Sequence, residues 1–125
     1  MGGTGGRADA RHVLVVEDEQ SLRLLCRVNL ELEGHRVGEA ASLAEARRAL
    51  ERDQPDVILL DRHLGHDDGL DLLDEIEALE LPVRIVLLSG SSEVGPELRA
   101  RVDGVLGKPF TLDSLAAAVS GVALR

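Results

Sequence analysis

Short apolar runs alternate along this chain with longer stretches in which apolar residues recur at every third or fourth position. A short continuous apolar run is typical of a strand buried on both faces, and the wider spacing is typical of an amphipathic helix. The pattern therefore predicts five strands, each followed by a helix. The strands are predicted at residues 12–16, 56–60 and 83–88, with a weaker one at 35–40 and a brief one at 105–106.

The helices are predicted from apolar spacing together with start and stop signals. Ser42, with Glu45 three positions later, forms a capping-box pattern at the start of the second helix, and Thr111 is placed to cap the last one. The third and fourth helices are expected at residues 69–79 and 94–102. The first is expected over residues 19–33, with an inward face formed by Leu22, Leu25, Val28 and Leu32 and with Leu24 alongside.

Strands that alternate with helices predict a parallel sheet covered on both faces. Five such units at this length predict a doubly wound, flavodoxin-like α/β fold with five helices and the strand order 2-1-3-4-5. The 125 residues leave room for a single hydrophobic core. We expect residues 1–10, which are rich in glycine, to be a flexible N-terminal tail, and residues 11–125 to form one domain.

Composition narrows the classes of function. The chain has one Phe, no Tyr and no Trp, so its core must be aliphatic and it lacks the aromatic rings on which single-strand nucleic-acid readers stack bases. A formal net charge of −9 disfavours direct binding to nucleic acid or to anionic membranes and favours a protein partner or a cation. Cys26 is the single cysteine, expected to be small and partly buried, and it can form no internal disulfide. With no long apolar run, a cytoplasmic location is expected.

The residues that follow the strands carry the candidate chemistry. In this fold, ligands bind beyond the carboxyl ends of the strands at the switch point of the sheet, so these residues should converge there. Clustered carboxylates suit a hard cation such as Mg²⁺, while a lysine and a hydroxyl suit phosphoryl oxygens. An aspartate in such a setting can act as a nucleophile toward phosphorus. The residues are Glu17, Asp18 and Glu19 after the first strand, Asp61 after the third, Ser89 after the fourth and Lys108 after the fifth.

Simpler interpretations compete with these assignments. Glu19 is expected to be a solvated residue at a helix N-terminus, where the helix dipole favours negative charge. Ser89 alone would be a turn residue, and Lys108 alone a surface lysine. His63 and His66, next to two aspartates, suggest a zinc site, but no third ordered ligand is evident. The functional interpretation of Ser89 and Lys108 therefore depends on Asp61 lying close to both.

Four motifs, VLVVEDE, VILLD, VLLS and GKPF, resemble those of the receiver domain of bacterial response regulators. The resemblance covers residues 12 to about 123. It implies that Asp61 accepts a phosphoryl group, with Ser89 and Lys108 assisting. It also implies that Mg²⁺ is bound by Glu17, Asp18, Asp61 and the backbone carbonyl of His63, and that the Lys108–Pro109 peptide bond is cis.

The same resemblance implies a histidine kinase or a histidine phosphotransfer protein as the phosphoryl donor, an output protein that the sequence does not identify, and pairing with a second copy of the chain as a further option. The chain departs from the family pattern after the acceptor, where Leu64-Gly65 replaces the usual Met-Pro, and at two further positions. Gly90 stands where the family commonly has alanine, which predicts wider access to the phosphoryl group. Val105 stands where an aromatic ring usually moves on activation, so we expect the signal to leave through backbone movement of residues 89–95 and the following helix.

Two other functions remain open on sequence grounds. One is a small Mg²⁺-dependent phosphatase with an aspartate nucleophile, which resembles haloacid-dehalogenase-type enzymes. Those enzymes typically carry a second aspartate two residues after the nucleophile, where this chain has His63, and no insertion is available here as a cap over a substrate. The other is a degenerate receiver that acts only as a binding module. Against it stands the complete set of Asp18, Asp61, Ser89 and Lys108.

Overall fold

The computed structural model describes residues 10–90 and 93–122, which form a five-stranded parallel sheet with helices on both faces. The strand order β2-β1-β3-β6-β7 confirms the predicted 2-1-3-4-5 order and the flavodoxin-like class. The predicted tail at residues 1–10 lies outside the described residues, apart from Ala10. The strands are β1 (His12–Val16), β2 (Arg36–Ala40), β3 (Val57–Asp61), β4 (His63–Leu64), β5 (Asp67–Asp68), β6 (Arg84–Gly90) and β7 (Gly104–Lys108). The helices are α1 (Gln20–Leu32), α2 (Leu43–Arg52), α3 (Leu70–Ala78), α4 (Pro96–Arg99) and α5 (Leu112–Ser120).

The core consists of two aliphatic layers, one on each face of the sheet. Successive residues of a strand point to opposite faces, so each central strand contributes to both layers. One layer packs the sheet against α2 and α3, and the other packs it against α1 and α5. All five residues of β3 are buried. The central position of β3 explains why its residues form a continuous apolar run that ends in a buried aspartate.

The inward face of α1 differs from the predicted one. Leu25, Val28 and Leu32 are 44%, 41% and 74% exposed, whereas Cys26 and Leu30 are completely buried against the sheet. The helix is apolar over much of its circumference, so the sequence offers two competing stripes at helical spacing. The sheet and α5 bury the stripe that contains the small Cys26 side chain, and the leucine-rich stripe faces outward.

Several boundaries also differ from the prediction. Helix α4 is a single turn over Pro96–Arg99, shorter than the predicted 94–102, and strand β7 is longer than the predicted pair of residues. Proline is favoured at the first position of a helix, which places the start of α4 at Pro96. Two glycines weaken the sequence pattern of β7, but parallel pairing with β6 supplies its hydrogen bonds and places Gly90 opposite Lys108.

Both predicted helix caps are present. The Ser42 hydroxyl accepts a hydrogen bond from the backbone N–H of Glu45 at 3.2 Å, and the Thr111 hydroxyl accepts one from that of Ser114 at 3.1 Å. Within residues 10–90 and 93–122, no helix has the length and apolar character needed to cross a membrane.

Candidate functional site

Three carboxylates meet beyond the carboxyl ends of β1 and β3. These strands are parallel neighbours that pair Val16 with Leu60, so the residues that follow, Glu17 and Asp61, lie side by side. Both side chains are buried, at 1% and 3% exposure, while Asp18 is exposed at the rim. One carboxylate oxygen from each of the three lies within 4.8 Å of the others. The structure therefore brings these three predicted residues together.

Lys108 reaches both buried carboxylates from the end of β7. Its ammonium nitrogen Nζ donates to Asp61 Oδ2 at 2.9 Å and to Glu17 Oε1 at 3.2 Å. Burial by itself lowers the pKa of Lys108, but the hydrogen bond and the charge of Asp61 outweigh it, so the pKa is raised. Lys108 is thus held as a cation beside Asp61.

One lysine leaves this group of carboxylates short of positive charge. Burial raises the pKa of Glu17 from 4.5 to about 7, and the neighbouring Asp61 carboxylate adds to the rise. Lys108 and the Glu19 backbone N–H, which donates to Glu17 Oε2 at 3.0 Å, oppose this shift without cancelling it. Carboxylate oxygens are the ligands that Mg²⁺ prefers, and a divalent cation would offset the repulsion between them. The donor set fits such an ion.

Arg23 of α1, which was not among the predicted site residues, binds the backbone that carries the carboxylates. Its guanidinium donates to the backbone carbonyl of Glu17 at 2.8 Å and to the Glu39 carboxylate at 3.0 Å. These bonds join α1 and β2 to the end of β1 and orient the backbone that carries Glu17 and Asp18. The sequence shows only a basic residue on a helix, and its partner on β2 is separated from it by 16 residues.

Gly69 allows the loop after β3 to close tightly over Asp61. Its N–H donates to the Arg62 carbonyl at 2.7 Å, and a Cβ added at Gly69 would lie 2.2 Å from the Asp61 carbonyl oxygen. No side chain fits at that distance. Between Asp61 and Gly69, β4 and β5 form a small antiparallel hairpin.

Ser89 lies in the cleft, but its hydrogen bond goes to a residue that was not predicted. Its hydroxyl donates to Glu93 Oε1 at 2.8 Å, and the Gly90 N–H donates to the same oxygen at 3.0 Å. The other carboxylate oxygen of Glu93 is 2.8 Å from Nε2 of His63. These three bonds, with that from His63 contributing most, lower the pKa of Glu93 to about 2. The Glu93 carboxylate fills the space beside Gly90 in this structure, so the wider access to a phosphoryl group expected from Gly90 stays a prediction.

His63 contacts the site through its backbone as well as its ring. Its N–H donates to Asp61 Oδ1 at 3.1 Å, which helps to fix that carboxylate. The role of its carbonyl as a metal ligand stays a prediction. Across the described part of the chain, the cluster of metal-ligand type consists of Glu17, Asp18 and Asp61 and includes neither His63 nor His66, so the zinc hypothesis gains no support. The Lys108–Pro109 bond is cis, as expected.

A switch-point cleft that combines carboxylates with a lysine and a hydroxyl defines a class of α/β domains suited to bind a cation and a phosphoryl group together. Comparison with known proteins narrows that class. The sequence pattern of the response regulator receiver domain matches residues 13–120. This chain therefore belongs to the response regulator receiver domain family, and the predicted phosphoacceptor function of the domain is confirmed at the level of the family.

Individual relatives agree with this membership. The KDP operon transcriptional regulatory protein KdpE of Escherichia coli is 37% identical over 117 residues, which cover 91% of this chain and 51% of KdpE. Sporulation initiation phosphotransferase F of Bacillus subtilis is 26% identical and is matched over 89% of its length. Among solved structures, the receiver domain of NtrX from Brucella abortus is 31% identical with a TM-score of 0.78, and the match covers 89% of this chain and 99% of that domain. The chain spans about half the length of KdpE and of the PrrA regulators that it also matches.

Proposed function

We propose that Asp61 is the phosphoacceptor of this receiver domain and that a histidine kinase or histidine phosphotransfer protein is the donor. The observation that carries the proposal is the position of Asp61, a buried carboxylate at the switch point whose oxygens are held by Lys108 and by the His63 N–H. An Asp61 oxygen attacks the phosphorus of a phosphohistidine. The phosphorus–nitrogen bond breaks, the histidine nitrogen keeps the electron pair, and an acyl phosphate forms on Asp61.

Mg²⁺ is the proposed cofactor. Glu17, Asp18, Asp61 and the carbonyl of His63 would hold it, and it would offset the combined charge of the carboxylates and the incoming phosphoryl oxygens. The fit rests on the carboxylate cluster and on the raised pKa of Glu17. The carboxylates supply the ligand type and the local excess of negative charge that such an ion requires.

Lys108 and Ser89 are proposed to bind the phosphoryl oxygens. The ammonium group of Lys108 already lies 2.9 Å from the oxygen of Asp61, so a phosphoryl group on that carboxylate would remain within its reach. Ser89, at the end of β6, presents its hydroxyl to the same cleft and would donate to another phosphoryl oxygen. These groups stabilise the negative charge that shifts onto the phosphoryl group during transfer.

The family is one of signalling switches, and we propose that this domain catalyses only its own phosphorylation and dephosphorylation. The phosphatase alternative is weaker, because the residue two after Asp61 is His63, whose ring is committed to Glu93. The degenerate-receiver alternative is weaker because Asp61 and Lys108 are already in contact. We also propose that the domain lies in the cytoplasm and passes its signal to an output protein that the sequence does not identify. Pairing with a second copy of the chain is the further option.

Phosphorylation by a small donor tests this function. We expect intact-mass spectrometry to show the addition of one phosphoryl group after incubation with acetyl phosphate and Mg²⁺, and no addition when Mg²⁺ is chelated. Asp61→Asn should remove the labelling. Asp67→Asn, which changes an exposed aspartate of the β4–β5 hairpin, serves as the matched control and should leave it intact. Equal labelling of the wild type and Asp61→Asn would refute the assignment.

A further inference from the structure

The Glu93 carboxylate accepts hydrogen bonds from two donors that converge at one place in the phosphoacceptor cleft. The Ser89 hydroxyl and the Gly90 N–H both donate to Glu93 Oε1, at 2.8 Å and 3.0 Å. Two donors that converge on one carboxylate oxygen form a site for an anion. Glu93 lines the same cleft as Asp61 and Lys108. The corner formed by Ser89 and Gly90 is therefore an anion site next to the proposed acceptor, and it is filled by a side chain of the protein itself.

The residues that follow Asp61 hold Glu93 in this corner. The guanidinium of Arg62 donates to the Glu93 backbone carbonyl at 2.7 Å, and Nε2 of His63 is 2.8 Å from Glu93 Oε2. Glu93 is thus bound from two directions, by the end of β6 and by the loop after β3. A change at Asp61 can reach Glu93 through either set of contacts.

Gly90 provides the room for this carboxylate. A Cβ added at Gly90 would lie 3.2 Å from Glu93 Oε1, closer than ordinary van der Waals contact. Alanine at this position would push the carboxylate outward by a few tenths of an ångström and weaken its bond to the N–H. The absence of a side chain at Gly90 therefore leaves the space that the Glu93 carboxylate occupies.

We propose that the Glu93 carboxylate is an internal competitor for the anion site formed by Ser89 and Gly90, and that it must leave when Asp61 is phosphorylated. The inference rests on the proposed function, because it takes Asp61 as the acceptor and the Ser89 hydroxyl as a phosphoryl ligand. A phosphoryl group carries close to two negative charges and would require the same donors. Two anions do not share one pair of donors, so binding of the phosphoryl group releases Glu93.

Release of Glu93 also supplies a way for the signal to leave the domain. Glu93 lies three residues before Pro96, the first residue of α4, and its contacts to Arg62 and His63 connect this segment to the acceptor loop. When the carboxylate leaves, the contacts that depend on it are lost and the segment before α4 can reposition. This route needs no aromatic ring at Val105.

Titration with beryllofluoride, a phosphoryl analogue that binds to an aspartate in the presence of Mg²⁺, tests the inference. The readout is the backbone amide resonance of residue 90 in NMR spectra of the full chain. Glu93→Ala should lower the apparent dissociation constant roughly three- to tenfold, because the site is then vacant in every molecule. Glu97→Ala removes the same charge from an exposed position on α4 and should change it less than about twofold. Gly90→Ala should shift the constant in the same direction as Glu93→Ala.

The outcomes separate this inference from the proposed function. Binding of equal strength in the wild type and Glu93→Ala, or weaker binding in Glu93→Ala, overturns the competitor role while Asp61 remains the acceptor. An equal decrease of the dissociation constant in Glu93→Ala and Glu97→Ala overturns the competitor role as well, since loss of one negative charge anywhere nearby would then explain the tighter binding. Failure of the wild type and of Glu93→Ala to bind beryllofluoride would contradict the proposed function, and the inference would fall with it.

Discussion

At the scale of single residues, the site depends on a balance between buried carboxylates and one ammonium group. The Lys108 ammonium group donates hydrogen bonds to both, at 3.2 Å to Glu17 and 2.9 Å to Asp61. The residue types at the strand ends could be predicted from the sequence, because in a doubly wound sheet those positions converge. The contact of Glu93 with Ser89 could not, because no sequence pattern shows that the Glu93 carboxylate lies against the end of β6.

The first prediction concerns pH and Glu17. Folding raises the pKa of this group from 4.5 to about 7, so the folded state binds more protons between those values. The stability that this group contributes is therefore present below about pH 4.5 and is lost as the pH rises through about 7 in the absence of metal. Protons compete with Mg²⁺ for the same carboxylate, so Mg²⁺ affinity should increase from about pH 6 to about pH 8.

Calorimetric titrations with Mg²⁺ at the two pH values check this prediction. In Glu17→Gln the increase in affinity with pH should be much smaller, whereas Glu19→Gln, which alters an exposed neighbour, should behave like the wild type. The same pH dependence in Glu17→Gln as in the wild type would assign the titrating group to another residue.

At the scale of the elements, the loop after β3 is defined by one close approach of backbone to backbone. Gly69→Ala places a Cβ 2.2 Å from the Asp61 carbonyl oxygen, where the main chain must move. We expect this variant to lose more than about 1 kcal/mol of unfolding free energy and to be phosphorylated more slowly. Gly95→Ala is the matched control, since its Cβ meets nothing within 4 Å. Chemical denaturation and acetyl phosphate labelling measure the two effects, and equal behaviour of the two variants would argue against the tight loop.

Helix α1 shows where the sequence pattern misleads. Its apolar residues form two stripes of helical spacing, and only the tertiary contacts with the sheet and α5 decide which one is buried. The spacing favoured the stripe with the greater number of leucines. Burial of the other stripe, through Cys26 and Leu30, leaves an exposed apolar surface on this helix.

The stability of two variants of α1 distinguishes the faces. Leu30→Ala removes a completely buried side chain and should cost about 2 to 5 kcal/mol of unfolding free energy. Leu32→Ala, on the same helix but 74% exposed, should change it by less than about 0.5 kcal/mol. Urea unfolding followed by circular dichroism measures both. A larger loss for Leu32→Ala would restore the inward face expected from the spacing.

At the scale of the whole molecule, the alternation of strands and helices was sufficient to predict the sheet order and the location of the cleft. The prediction was reliable because handedness and connection rules leave few topologies for five parallel units of this length. The length of α4 and the extent of β7 were not predictable in the same way. The extent of β7 is set by its pairing with β6, and its glycines carry little strand signal of their own. Helix α4 is a single turn that begins at Pro96, too short to show helical spacing in the sequence.

The central claim, that Asp61 is the phosphoacceptor, is tested most directly by trapping the acyl phosphate. Borohydride reduces an aspartyl phosphate to homoserine, so the modified residue can be identified by peptide mass spectrometry after labelling with acetyl phosphate and Mg²⁺. Cleavage at arginine releases residues 53–62, which contain Asp61 together with Asp53 and Asp56. The account predicts homoserine at position 61 and at neither of the other two. Homoserine at position 18, 53 or 56, with position 61 unchanged, would contradict it.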